Sequence, residues 1–264
     1  MNANTTSSPF SGPRVAPDQM RAFGGVWRLT AGRFLSRGHL LANAGLLGLL
    51  ILLSATEATP RDAGGYLEWI AGFYLKLAVP VLAFLSGAGA MRDETKPGVV
   101  DYVFTRPIRR WAFVIFKYFA HTACMVLTWL PAVAVLTFFA WQRGLASPGP
   151  TMAAVLFAQT LTIAGFSALG FFCSVLMTRY LIAGLLYAGV VEAGIGNIPA
   201  PLSRVSMLRQ IGEMTGSLAP DGGAFAMASL AATTATMALF VVVFVGTAAV
   251  LFSLQEMTGA RARD

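Results

Sequence analysis

The chain has 264 residues, of which 56% are hydrophobic and only 12% are charged, and its formal net charge is +7. This composition excludes a water-soluble globular domain, which would carry far less apolar surface, and it indicates an integral membrane protein. The positive charges flank apolar stretches, so they indicate orientation in a membrane, and we expect no nucleic-acid partner.

The N-terminal region divides into a polar tail and a basic stretch. Residues 1–16 are rich in Ser, Thr, Asn, Pro and Gly, and we expect a disordered cytoplasmic tail there. Over residues 17–37, apolar side chains recur every three or four positions with arginines between them, which is typical of an amphipathic helix lying in the membrane interface. The same arginines also fit a simpler role, in which they only fix the orientation of the chain.

Six apolar stretches have about the 20 residues that a membrane-spanning helix needs. They are residues 39–56, 69–91, 111–140, 151–177, 180–198 and 225–254. We therefore expect an all-α integral membrane protein whose six transmembrane helices occupy residues 38–256, with a cytoplasmic tail at 257–264. Lys and Arg concentrate in the segments that this arrangement places inside, so both termini are expected in the cytoplasm.

The segment between the fifth and sixth spans, about residues 196–224, is too apolar for a free outer loop. We expect short helices there, or a segment that partly re-enters the membrane and packs over the outer mouth of the bundle. Irregular backbone is tolerated at membrane depth only where other protein covers it.

The densest charged block, residues 92–111, lies between spans two and three on the cytoplasmic side. Inside it, Val99, Val103 and Phe104 recur on one face of a short amphipathic helix that Pro107 ends. Such a helix can fit a groove on a partner protein, and the neighbouring arginines can make charged contacts that fix its register. The arginines also fit a simpler role as anchors to anionic lipid.

Lys76 and Glu192 are the charged residues deepest inside the predicted spans, each roughly 10 Å below the outer surface at 1.5 Å per residue. Their similar depth and opposite sign predict an intramembrane charged pair, because a lone charge in hydrocarbon is costly. Three roles are open for them. They can clamp two helices together, the lysine can reach up to the interface, or both can line a translocation route.

No catalytic or metal-binding motif is visible in the chain. It contains no GxxxxGK[ST] phosphate loop, no HExxH and no GxSxG. The two histidines are not at ligand spacing to Cys124 and Cys173, so we expect no metal site and no disulfide. We therefore expect that this chain is no enzyme and that another polypeptide performs any nucleotide hydrolysis.

Two stretches of the chain resemble type-2 ABC transporter permeases. Glu94, Gly98, Tyr102, residues 106–110 and Lys117 are similar to the cytoplasmic segment after the second span of that family, which runs approximately E-x-x-x-G-T, a few apolar residues, then S-x-P-I-x-R and a lysine entering span three. Residues 187–208 are similar to the end of the fifth span and the outer segment after it. Together with the six-span pattern, the resemblance covers essentially the whole chain. The chain departs from the family pattern at Val99, where threonine is common, and at Thr105-Arg106, where a serine usually precedes.

The resemblance implies the permease subunit of an ATP-binding cassette transporter, expected to be an exporter in the bacterial cytoplasmic (inner) membrane. A soluble ABC ATPase subunit would use ATP and Mg²⁺, while this chain would bind no cofactor itself. A second permease, expected as a homodimer partner, would complete the transporter. The ATPase-coupling residues would be Glu94, Gly98, Val99, Val103, Phe104, Arg106, Pro107, Arg109 and Arg110.

Two other functions fit the same sequence. One is a polytopic membrane enzyme that acts on lipid or peptide, and the other is a membrane scaffold or sensor that transports nothing and docks a partner at its cytoplasmic segment. The cargo of a transporter is equally open, since a lipid-like molecule, a peptide or a purely mechanical role each fits apolar spans with few charges.

Overall fold

The computed structural model describes residues 19–56, 59–94, 109–197, 204–216 and 227–254. All regular secondary structure in these residues is helical, and they contain no strand. The all-α prediction is therefore confirmed for them. The two predicted tails, 1–16 and 257–264, lie outside the described residues, as does most of the predicted coupling segment, 95–108. The coupling helix therefore stays a prediction.

The helices follow one another in a simple order along the chain. They are α1 (Gln19–Phe34), α2 (Arg37–Ala55), α3 (Ala63–Trp69), a first π-helical segment (Ile70–Ala78), α4 (Val79–Glu94), α5 (Arg110–Gln142), α6 (Pro148–Leu176), α7 (Tyr180–Tyr187), a second π-helical segment (Ala188–Gly194), a 3-10 turn (Ile195–Asn197), α8 (Met207–Gly216) and α9 (Met227–Leu254).

Within the described residues, five helical stretches are long and apolar enough to cross a membrane, and they correspond to the first four predicted spans and the sixth. They are Arg37–Ala55, Ala63–Glu94, Arg110–Gln142, Pro148–Leu176 and Leu230–Leu254. The predicted fifth span, 180–198, contains a shorter apolar helix, Tyr180–Gly194. At 1.5 Å per residue it is about 22 Å long, less than the hydrocarbon thickness of roughly 30 Å. The architecture fits a multi-pass membrane protein, and the sixth crossing stays a prediction.

The second spanning stretch begins earlier than the sequence predicts, at Ala63 instead of residue 69. Asp62 caps it, because the Oδ2 atom accepts a hydrogen bond of 2.7 Å from the Gly65 N–H. The helix then continues without a break past Pro80, which has no N–H to donate. Just before that proline, the Val79 N–H donates to the Tyr74 carbonyl five residues back, which is the π-helical pattern.

Helices α4 and α6 pack backbone against backbone. A Cβ atom added at Gly170 would lie 2.4 Å from the Phe84 carbonyl oxygen, and one added at Gly87 would lie 2.7 Å from the Ser167 carbonyl oxygen. Ser167 Oγ also donates to the Ala83 carbonyl at 3.4 Å. Only glycine fits at these two crossing positions, since small residues let membrane helices approach closely.

Arg143 joins three helices at one end of the bundle, which we call the Arg143 end. Its Nη2 donates to the Ser54 carbonyl at 2.6 Å and to Thr59 Oγ1 at 2.8 Å. Its guanidinium group lies over the Tyr66 ring, 3.9 Å from the ring centroid. The end of α2, the start of α3 and the end of α5 therefore meet at this arginine.

The opposite end, which we call the charged end, is marked by the ion pairs Arg33–Asp93 and Lys117–Glu94. Phe252, near the end of α9, stacks on Phe113 near the start of α5, with 6.3 Å between the ring centroids. Helices α5 and α9 therefore run in opposite directions. The end contacts likewise make α2, the α3–α4 stretch, α5 and α6 alternate in direction, whereas α9 runs in the same direction as α6.

Helix α1 packs along the first half of α5. The rings of Phe23 and Phe116 meet edge to face with 5.4 Å between their centroids, and Val26 is buried. The helix predicted over residues 17–37 thus corresponds to Gln19–Phe34. Its position in the membrane interface stays a prediction.

Candidate functional site

Helix α8 lies in the middle of the bundle. A Cβ atom at Gly165 of α6 would lie 3.1 Å from Met207 Sδ, and one at Gly212 would lie 2.9 Å from Lys76 Nζ. Since Lys76 is thirteen residues after Ala63, this contact is about 20 Å from the Arg143 end at 1.5 Å per residue. Met207 and Ile211 are fully buried. The expectation of a short packed helix within residues 196–224 is confirmed.

The carboxylate of Glu192 holds the first turn of α8. Its Oε1 accepts hydrogen bonds from the Tyr187 hydroxyl at 2.8 Å and the Met207 N–H at 3.1 Å. Its Oε2 accepts from Ser206 Oγ at 2.5 Å and the Leu208 N–H at 3.1 Å. Backbone N–H groups at a helix start have no partner within the helix, and the helix dipole is positive there. Glu192 therefore acts as a capping anion supplied from another part of the chain.

Lys76 and Glu192 do not form the expected ion pair. No salt bridge joins them among the residues that the structure describes. Glu192 contacts the start of α8, whereas Lys76 contacts Gly212, which lies about 8 Å farther along the helix. The physical reason is that four donors already surround the carboxylate. The two charges therefore meet the same helix at different points instead of meeting each other.

Both of these charged residues lie in π-helical segments. Lys76 belongs to Ile70–Ala78 and Glu192 to Ala188–Gly194. The π-helix is rare, occurs mostly as a short bulge inside an α-helix, and is frequent at functional sites. Two such segments directed at one short helix therefore single out Lys76, Glu192 and α8 as a candidate functional site, which we call the α8 site.

The last turn of α4 is tied to two other helices at the charged end. Asp93 pairs with Arg33 of α1, and Glu94 Oε1 pairs with Lys117 Nζ of α5 at 2.7 Å. Lys117 is only 4% exposed, whereas the Glu94 side chain is 20% exposed, so the lysine end of this pair is buried and the carboxylate is partly accessible. The two neighbouring carboxylates thus connect α4 with both α1 and α5.

A further contact ties the same turn to the connection between α6 and α7. Arg92 donates to the Thr178 carbonyl, and its guanidinium group lies 5.7 Å from the centroid of the Tyr180 ring. The last turn of α4, which leads into the segment 95–108, is therefore held by α1, by α5 and by the connection into α7.

The structure places only some of the predicted coupling residues. Glu94 lies in the ion pair with Lys117, and Arg109 and Arg110 are exposed at the start of α5. The others lie outside the described residues: Gly98, Val99, Val103, Phe104, Arg106 and Pro107. The described residues therefore fix both ends of the predicted coupling segment at the charged end.

Several polar contacts of the bundle were not predicted. The Arg143 contacts and the buried Tyr74 hydroxyl, which donates to Gln159 Oε1 at 2.5 Å, join helices far apart in sequence. Lys117 offered a usable signal, because a lysine seven residues inside an apolar helix needs a charged or polar partner. Arg143 offered none, since an arginine after a span also fits the ordinary charge pattern of a membrane protein.

Comparison with known proteins assigns no family to the chain. No protein-family model matches it, and no curated protein matches it. The α8 site and the charged end are therefore the features from which a function can be inferred.

Proposed function

We propose that the chain is the permease subunit of an ATP-binding cassette transporter and that it works as an exporter in a bacterial cytoplasmic membrane. A separate soluble ATPase subunit would bind ATP and Mg²⁺ and dock at the charged end. The proposal is supported by the resemblance of residues 94–117 to such permeases and by the arrangement of the helices around that segment.

The observation that carries the proposal is the attachment of the last α4 turn to α1 and α5. Because Glu94 and the buried Lys117 are 2.7 Å apart, a displacement of the segment 95–108 moves the ends of α4 and α5 together. The Arg33–Asp93 pair adds α1 to the same unit. A partner that changes shape at this surface would thus tilt several spans as rigid bodies. In this way the conformational changes of the ATPase during ATP hydrolysis would be transmitted to the transmembrane helices.

In this proposal the chain crosses the membrane six times and both termini are cytoplasmic. The stretch 180–197 supplies the fifth crossing, because it leaves the charged end at Tyr180 and leads to α8. Two helices have little contact with the rest of the bundle. None of the α7 residues is buried, and only 11% of the most apolar part of α2 is buried. We assign these faces to contact with lipid and with a second copy of the chain.

The α8 site has a place in the same scheme. Helix α8 follows the fifth crossing and fills the middle of the bundle on the side of the Arg143 end. We propose that it closes the outer part of the route while Glu192 and Lys76 hold it.

The test is purification of the chain with the ATPase encoded beside it, followed by the hydrolysis rate in membranes. Glu94→Ala combined with Arg109→Ala should abolish permease-stimulated hydrolysis while the chain still inserts normally. The matched control is Glu213→Ala combined with Arg209→Ala, which removes the same two charges from α8. This control should keep its association with the ATPase.

Two results would oppose the proposal. If the native chain bound no such ATPase, the proposal that it is a transporter subunit would be refuted. Equal loss of association in the charged-end variant and in the α8 control would show that position 94 and position 109 have no special part in docking.

A further inference from the structure

A cavity of about 200 Å³ lies at the charged end between α1, α2, α4 and α5. It has room for roughly seven water molecules at about 30 Å³ each. Its lining consists of Thr30, Arg33, Phe34, His39, Leu85, Ser86, Gly89, Ala90, Lys117 and His121. Every charged side chain in this lining is therefore basic.

The basic side chains of the cavity have hydrogen-bond donors to spare. Lys117 carries three N–H donors and pairs with one carboxylate, Glu94. Arg33 carries five donors and pairs with Asp93. Neither carboxylate lines the cavity. The residues that line the cavity thus include the cation of each ion pair and neither anion.

His121 adds an unsatisfied polar atom to the same wall. Its side chain is 1% exposed, and its Nε2 has no hydrogen-bond partner within the part of the chain that the structure describes. A buried polar atom without a partner is costly, and buried polar atoms in proteins normally have one. A bound group that accepts hydrogen bonds would remove this cost for the tautomer that carries its proton on Nε2.

The surroundings of the cavity favour an anion that is attached to hydrocarbon. Leu35, Leu40 and Leu41 are exposed beside it, at the end of α1 and the start of α2. The outer face of α2 continues as exposed apolar surface through Leu49 and Leu52. A molecule with an anionic head in the cavity could therefore lay its chains along α2. Basic pockets between helices at the cytoplasmic side are known to suit lipid head groups.

We propose that this cavity binds a phosphate group, presented by the head group of an anionic phospholipid whose acyl chains lie along α2. Arg33 and Lys117 donate to the phosphate oxygens, and His121 and His39 complete the wall. The bound lipid connects α1 with α2, α4 and α5, so its loss loosens α1 from the bundle. The site needs no ATPase and does not depend on the proposed transport function.

The first test fills the cavity. Gly89 lines it, and a Cβ atom there would meet nothing within 4 Å, so the side chain of Gly89→Leu enters the open space. Gly246→Leu is the matched control, because Gly246 is an exposed glycine of α9 with equally open surroundings, no place in the lining and no place on α2. The full chain in neutral detergent is titrated with phosphatidylglycerol, and binding is followed by native mass spectrometry. Gly89→Leu should bind phosphatidylglycerol at least about tenfold more weakly, because the leucine side chain displaces the phosphate. The loss of even one hydrogen bond to a charged group has about this effect. Gly246→Leu should bind like the native chain.

The second test removes one charge. Arg33→Gln should also weaken phosphatidylglycerol binding by about tenfold, while Arg28→Gln, which removes the same charge from an exposed position on the same helix, should not. Arg33→Gln keeps the proposal testable if Gly89→Leu does not fold. Equal binding by Arg33→Gln and Arg28→Gln, or by Gly89→Leu and Gly246→Leu, would overturn the proposal.

The source of the phosphate is settled by competition. Phosphatidylcholine and inorganic phosphate are added against bound phosphatidylglycerol. If inorganic phosphate displaces the lipid and binds the native chain as tightly, with the same loss in Gly89→Leu, the phosphate comes from solution. If it does not, and phosphatidylcholine competes poorly because its positive choline faces basic residues, the occupant is an anionic lipid.

Discussion

Replacing Glu192 by glutamine should release α8 from the middle of the bundle. The carboxylate accepts four hydrogen bonds, two on each oxygen. Glutamine keeps one oxygen and turns an NH₂ group toward the other two donors. The hydroxyl groups of Tyr187 and Ser206 can turn to accept from this amide, but a backbone N–H cannot. Glu192→Gln therefore loses the negative charge at the helix start and the partner of one α8 N–H.

The size of this effect follows from those two losses. A hydrogen bond to a charged acceptor contributes about 1.5–3 kcal/mol, and a negative charge at a helix start contributes up to about 1 kcal/mol. We expect the opening of α8 to become easier by about 2 kcal/mol, which corresponds to a roughly 30-fold larger open population, because 1.4 kcal/mol is a factor of ten.

Thiol labelling measures that population. Thr215 on α8 is 5% exposed, so the cysteine in Thr215→Cys reacts only when α8 opens. The labelling rate follows the open population where closing is fast compared with labelling. The native cysteines, Cys124 and Cys173, are buried and are replaced by alanine in all variants. Glu192→Gln should then raise the labelling rate about 30-fold.

The control uses the second carboxylate of this region. Glu213 is 51% exposed and pairs with Arg209 on the same helix. An exposed pair of this kind contributes about 0–1 kcal/mol, so Glu213→Gln should change the labelling rate by no more than about fivefold. If Glu192→Gln changes the rate no more than Glu213→Gln does, the hydrogen bonds of Glu192 do not hold α8 and the reasoning is refuted.

Three further substitutions test the packing of the bundle. Gly170→Leu should lower the free energy of unfolding by about 3 kcal/mol or more, because the new side chain overlaps backbone atoms of α4, whereas Gly45→Leu, in open surroundings, should leave the unfolding midpoint in detergent nearly unchanged. Arg143→Met should cost about 3 kcal/mol through two lost hydrogen bonds and the lost ring contact, and proteolysis at the Arg143 end no faster than in the native chain would contradict this. In a double-mutant cycle, Lys117→Met alone should destabilise more than Lys117→Met with Glu94→Gln, with a coupling of about 1–3 kcal/mol, and additive losses would count against the buried ion pair.

Hydropathy located most of the helices because burial in lipid is a property of many residues at once. The predicted spans 111–140 and 151–177 correspond to Arg110–Gln142 and Pro148–Leu176. The early start at Ala63 was missed, since it depends on one cap at Asp62 and on residues that are not apolar. The fifth predicted span, 180–198, corresponds to a shorter apolar helix, Tyr180–Gly194, followed by a 3-10 turn, because apolar composition does not reveal where a helix changes to a π-helical or 3-10 pattern.

The α8 site could be predicted only in part. Lys76 and Glu192 stood out because charges are rare in apolar helices, and both do contact α8. The hydrogen-bond partners of Glu192 could not be predicted from the sequence, because they include backbone N–H groups of α8. Every residue except proline carries such a group, so the residue type does not identify which of them is available. A search for charges of opposite sign therefore paired two residues that the fold directs to separate points.

The close contact of α4 and α6 also sets the order in which the chain assembles during synthesis. The hydrogen bond from Ser167 to Ala83 joins residues 84 positions apart. Most of α6 must therefore be synthesised before α4 can form its close contact with α6 at Gly87 and Gly170. Helices α2 and α4 must wait in the bilayer as separate inserted helices, which lipid permits because each helix satisfies its own backbone hydrogen bonds. The N-terminal helices are thus inserted first, but the bundle can pack fully only after α6 has been synthesised.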